Sequence, residues 1–291
     1  MELLIVLAPI VVFAAGIIFR RIPLYSGDLL PDGQSLEAHH DIAYEIKYRY
    51  WTITSFLVLL TACIVAVVAT ILSMKRAKCS CTKWVSWLAG AVAIVLVSRV
   101  GDELPVNVLH TVSHLLPSDS TIVSRIGIGT TVTTVFTSFA SLGIFVATTT
   151  LVPPRIKGGR LEDRMTRSTS NFQTLGGLVL AASFVLASGV MLLNAWLKWL
   201  GGFVKDRDSD YLSLVSGLVN HHAIAFVLTL IAGFLPIWIW MGASNRSMIG
   251  EYGGDGSEIW FQRNRNTYTK WYLLLFPIVS PLLASIIQAT L

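Results

Sequence analysis

Apolar residues run along this chain in long uninterrupted stretches, and polar and charged residues are confined to the segments between them. A membrane-crossing helix needs roughly 20 mainly apolar residues. Seven stretches qualify by that pattern: Leu3–Phe19, Trp51–Ser73, Trp84–Ser98, Ile126–Val152, Phe172–Leu197, His222–Gly242 and Trp271–Thr290. The third is the shortest. The first lacks a basic leading region and a small-residue cleavage site, so it is expected to be a span rather than a leader. The expected fold class is all-α: a polytopic helical membrane protein of about seven transmembrane helices in a single transmembrane domain, residues 1–291.

Composition agrees with this pattern. The chain of 291 residues is 54% hydrophobic and 13% charged, with a mean hydropathy of +0.65. Soluble domains carry about 25% charged residues. The net charge of +5 is scattered between apolar runs and forms no basic face, which argues against a nucleic-acid partner.

Lys and Arg set the expected orientation. If the N-terminus is inside, the inner loops hold 13 of the 22 basic residues and the outer side holds nine. Five acidic residues then lie in the inner loops and eleven in the outer ones. That split favours N-in, C-out. Arg20 and Arg21, at the outer end of the first run, oppose it. Trp51, Trp84, Trp87, Trp196, Trp199, Trp260 and Trp271 stand at or near span ends, where amphipathic rings favour the interface.

Charge is missing from the middle of every proposed span. Proton relays and ion-coupled transporters keep ionisable groups at mid-membrane depth, so that class is disfavoured. The fourth span carries Gly127, Thr131, Thr134, Ser138 and Ser141 at spacings of three and four. Such a face either packs against another helix or lines a polar pore. The fifth span has small residues on more than one side (Gly176, Gly177, Ala181, Ala182, Ser183, Ala187, Ser188, Gly189) and is expected to be central. Pro236 in the sixth span, and Pro277 and Pro281 in the last, are expected to kink their helices.

Further candidate chemistry lies on the outer side. All six histidines fall there as three pairs: His39–His40, His110 with His114, and His221–His222. Pro105 and Pro117 bracket a short segment expected to lie on the membrane as an interfacial helix, with His110 and His114 on one face. With Asp206, Asp208 and Asp210 nearby in sequence, His110, His114, His221 and His222 form a possible set of transition-metal ligands. Asp210 is also expected to cap the helix entering the sixth span. A calcium loop is excluded, because Tyr211 and Gly217 replace the Gly and Glu such a loop requires. Desaturase-type histidine boxes are excluded too, because Leu36 and Leu218 occupy the leading positions. The segment from Ser35 is expected to form a helix running into the second span, with Glu45 and Arg49 as an i,i+4 pair.

No nucleophile elbow, phosphate loop or dinucleotide fingerprint is present. The leading expectation is a non-enzymatic membrane module, with the lipid bilayer and either other membrane subunits or further copies of itself as partners. It would be a subunit of a larger complex, or an oligomeric pore or carrier for uncharged or weakly charged solutes. The alternative is a metal-dependent membrane enzyme or redox subunit with its site at the outer face.

Overall fold

The computed structural model describes residues 41–76, Val85, 121–151, 161–203 and 210–252. Four long helices account for nearly all of them: α1 (Ile42–Arg76), α2 (Thr121–Thr149), α3 (Leu161–Leu200) and α4 (Asp210–Tyr252). A single 3-10 turn, Gly201–Phe203, follows α3. At 1.5 Å per residue α1, α3 and α4 are about 52, 60 and 65 Å long. A bilayer's hydrocarbon core is about 30 Å thick.

Among the described residues, three helical stretches are long and apolar enough to cross a membrane: Ile42–Arg76, Thr166–Phe203 and Tyr211–Ser244. Val135–Thr149 of α2 is a shorter apolar stretch. Large exposed apolar side chains recur at helical spacing on α1 (Leu57, Ile64, Val68, Leu72) and on α4 (Ile224, Leu228, Ile231, Leu235, Ile239). Stripes this long would be an aggregation hazard in water and are at home against acyl chains.

Contacts at both ends of the bundle fix the helix directions. Asp41 N–H donates to the Gly202 carbonyl at 3.0 Å, so the start of α1 meets the end of α3. At the other end the Asn171 amide donates to the Leu151 carbonyl at 3.2 Å, joining the exit of α2 to the early turns of α3. Tyr211 at the start of α4 donates to the Leu197 carbonyl, while Phe172 and Trp238 pack edge to face at 5.6 Å. Helix α3 is therefore antiparallel to the other three, and α1, α2 and α4 run the same way.

Helix α3 touches all three partners, the central place expected from its small residues. Ala182, Ser183 and Ser188 are buried there. The core joins Leu59, Cys63 and Ala66 of α1, Leu142 and Phe145 of α2, Leu178 and Val185 of α3, and Leu230, Phe234 and Ile237 of α4.

Two boundaries differ from expectation. Helix α1 starts at Ile42, with Asp41 outside it, while residues 35–40 of the expected helix lie outside the described residues. Asp41 is its cap: the Asp41 carboxylate accepts from the Tyr44 N–H at 3.0 Å, and its carbonyl accepts from the Glu45 N–H at 2.9 Å. Such a cap supplies an acceptor to an otherwise orphan donor and places its own residue outside the helix. Helix α4 starts at Asp210, well before His222. Its early turns bury Tyr211, Val215, Leu218 and Val219, so tertiary packing carries the helix through a stretch whose Ser, Gly and Asn residues read as loop.

Candidate functional site

Glu45 is the one buried carboxylate among the residues with described side chains, 3% exposed. A buried charge must be paired and hydrogen-bonded, and this one is. Arg49, one turn along α1, approaches Glu45 Oε1 through both Nε (2.8 Å) and Nη2. From α3 the Trp199 indole N–H donates to the same oxygen at 2.8 Å. Behind the carboxylate, Gly202 lets two backbones meet: a Cβ there would stand 3.1 Å from Glu45 Cβ and 3.2 Å from Glu45 Cα. Tyr211 completes the arrangement. Its buried hydroxyl donates to the Leu197 carbonyl at 2.6 Å, and its ring covers Gly201. Three helices are thereby tied at one end of the bundle. The Glu45–Arg49 pair was legible from its spacing. The roles of Trp199 and Tyr211 were not, because they depend on residues far apart in the chain.

Deeper in the bundle the polar groups are hydroxyls. Most bond back to their own helix, as expected in an apolar medium. Ser183 donates to the Val179 carbonyl at 2.8 Å, Ser188 to Phe184 at 2.6 Å and Thr229 to Ala225 at 2.8 Å. Thr148 and Thr149 close i,i−3 bonds at the end of α2.

Two hydroxyl oxygens depart from this rule: Thr70 Oγ1 and Ser141 Oγ are buried without a hydrogen-bond partner, while Thr137 Oγ1, buried beside them, has only the Cys63 thiol for company. They share a seam. The Cys63 thiol lies against the Thr137 hydroxyl, Thr70 is two turns along α1 on the same side as Cys63, and Ser141 is one turn along α2 from Thr137. Since α1 and α2 are parallel, both pairs advance towards the same end. Each unsatisfied hydroxyl costs about 1–3 kcal/mol.

The residues singled out from sequence are distributed as follows. Ser138 is buried on α2 and Ser141 lies in the seam. Gly127, Thr131 and Thr134 belong to α2, their side chains outside the described set. The two-faced reading of this helix does not extend to its last turns. From Leu142 to Thr149 every residue is buried, because α1, α3 and α4 enclose that end.

His221 and His222 are neighbours on α4, ring centroids 6.0 Å apart. They stand about 16 Å along the axis from Tyr211, inside a continuous helix. His222 Nδ1 lies 2.8 Å from the Leu218 carbonyl. A neutral ring donating from Nδ1 keeps its lone pair on Nε2. Asp210 is the first residue of α4 rather than a cap preceding it. His39, His40, His110, His114, Asp206 and Asp208 lie outside the described residues. Among the described residues, no three His, Cys, Asp or Glu side chains converge as a metal site would require.

Pro236 lies within α4, where it removes the N–H that would bond the Ala232 carbonyl. One turn earlier Gly233 lies against the Phe145 ring, which a Cβ would strike. Phe145 also packs on Phe234, centroids 5.6 Å apart. Pro277 and Pro281 lie outside the described residues.

Fold and site together define the class: the described residues are all-helical, with three candidate membrane-spanning helices among them, tied at one end by a buried carboxylate. No protein-family model matches the chain, and no curated protein or solved structure matches it significantly.

Proposed function

We propose that this protein is a non-enzymatic multi-pass membrane protein, acting as a membrane-embedded subunit or oligomeric pore or carrier for uncharged or weakly charged solutes. The observation that carries this reading is the α1–α2 seam. Its Thr70 and Ser141 hydroxyls have unused hydrogen-bonding capacity and no fixed charge. Such groups can replace part of the hydration of a neutral solute, whereas a buried charge would select ions. The exposed apolar stripes of α1 and α4 suit lipid or further membrane helices.

Seven spans in the N-in, C-out sense belong to the same proposal. Helices α1 and α2 point the same way, an arrangement that the proposed span between them in sequence would account for. That span is the apolar run Trp84–Ser98. Asn245 begins an Asn-Arg-Ser sequon on the side proposed to be inside, so its glycosylation in a microsomal translation system would overturn the orientation.

The functional test uses the full chain in liposomes, with glycerol and urea as neutral probes and shrinkage followed by light scattering. Flux above protein-free liposomes is expected, reduced by Ser141→Leu while the protein still incorporates. Absence of flux for every probe would overturn the pore and carrier reading. Size measurement in detergent then asks whether the chain elutes as one copy, several copies or with other subunits.

A further inference from the structure

Two lysines from different helices converge on one aromatic ring beside the Glu45 tie. Lys47 Nζ stands 5.3 Å from the Tyr48 ring centroid, and Lys198 Nζ reaches the same ring from α3 at 5.8 Å. Tyr48 is itself packed on Tyr44, centroids 4.4 Å apart. Bringing two ammonium groups to one ring is unfavourable between the cations themselves, since their like charges repel.

Depth along the bundle adds a second constraint. Lys198 is half-buried at the end of the apolar run of α3, between Leu197 and Leu200. On α1 the side of the helix carrying Lys47 continues through Trp51, Thr54, Val65 and Leu72, all exposed. The cations thus sit where an apolar, lipid-facing stripe begins. Lysine stems favour that level because the methylenes stay in the apolar layer while the ammonium reaches the headgroups.

We propose that Lys47, Tyr48 and Lys198 form a binding site for the phosphate of an anionic phospholipid headgroup, with an acyl chain lying along the Trp51–Leu72 stripe. The two ammonium groups supply the charge complement. The phenol of Tyr48 adds an uncharged donor, and its ring holds the amines in place through cation–π attraction. The stripe distinguishes this site from one for a free anion, because a soluble phosphate gains nothing from it. The site does not depend on the protein carrying a solute.

The test is native mass spectrometry of the full chain in detergent, titrated with dioleoylphosphatidylglycerol or dioleoylphosphatidylcholine. Preferential retention of the phosphatidylglycerol is expected. Lys47→Gln and Lys198→Gln should each weaken that retention about five-fold, and together about thirty-fold, from the usual contribution of one basic residue near anionic lipid. Lys47→Arg and Lys198→Arg should keep it. Lys75→Gln, at the far end of α1, should leave it unchanged. Lys47 is exposed, so Lys47→Gln preserves the test if Lys198→Gln does not fold. Equal retention of the two lipids would overturn the proposal, as would phosphatidylglycerol retention insensitive to both glutamine changes or equally sensitive to Lys75→Gln. Displacement of the lipid by soluble glycerol phosphate at matched concentration would show a general anion site and overturn the lipid assignment.

Discussion

The indole N–H of Trp199 donates to Glu45 Oε1 across 2.8 Å, joining residues 154 positions apart in the chain. That single contact closes the end of α3 onto the start of α1. Trp199→Phe keeps the ring and removes the donor. It should lower stability by about 2 kcal/mol, the usual range for a hydrogen bond to a charged group. In a Glu45→Ala background the same change should cost almost nothing. Thermal unfolding of the four proteins in detergent checks this, and equal losses in both backgrounds would show that the two residues are not coupled.

Gly202 tests close approach. A methyl group there would press on the Glu45 backbone and Cβ, so Gly202→Ala should destabilise by about 1–3 kcal/mol. Gly177 on α3 is the control: it is exposed, and nothing lies within 4 Å of an added Cβ. Gly177→Ala should be neutral or raise stability by up to about 1 kcal/mol, from helix propensity. A matched pair of melting curves decides between crowding and a general intolerance of substitution.

Tyr211→Phe removes one oxygen from a buried site. The Leu197 carbonyl loses a donor at 2.6 Å, which should cost about 1–2 kcal/mol. Hydrogen exchange should also quicken first in the early turns of α4, because the Tyr211 hydroxyl pins that end. Uniform quickening along all four helices would contradict a local role.

Thr70 makes the opposite prediction. Its hydroxyl is fully buried and unpartnered, so Thr70→Val keeps the shape and removes the desolvation cost. Stability should stay level or rise by about 1 kcal/mol. Ser183→Ala, whose hydroxyl is bonded to Val179, should show no such gain. A clear fall in the unfolding temperature of Thr70→Val would mean that the hydroxyl has a partner in the membrane.

Much of this protein is written locally. The long apolar runs dictate helices, since a backbone in lipid must satisfy its own hydrogen bonds. An i,i+4 spacing was enough to pair Glu45 with Arg49, and small residues on several sides of α3 were enough to place it among several neighbours. Helix ends were less legible. Asp41 stops α1 where helix pattern continued upstream, and buried Tyr211 and Val215 extend α4 through a polar stretch. Capping and packing decide such boundaries, and both depend on what stands opposite.

Relations between distant residues came only with the tertiary structure. No local pattern aims Trp199 at Glu45, sets Gly202 against α1, or brings Lys198 to the ring that Lys47 already faces. Nor does a hydroxyl's sequence position tell whether it bonds its own helix, as Ser183 does, or lies buried without a partner, as Thr70 does. Local sequence sets each residue's periodicity and medium. Which side chains share a site follows from helix direction and register, and those are fixed by the packing of all four helices at once.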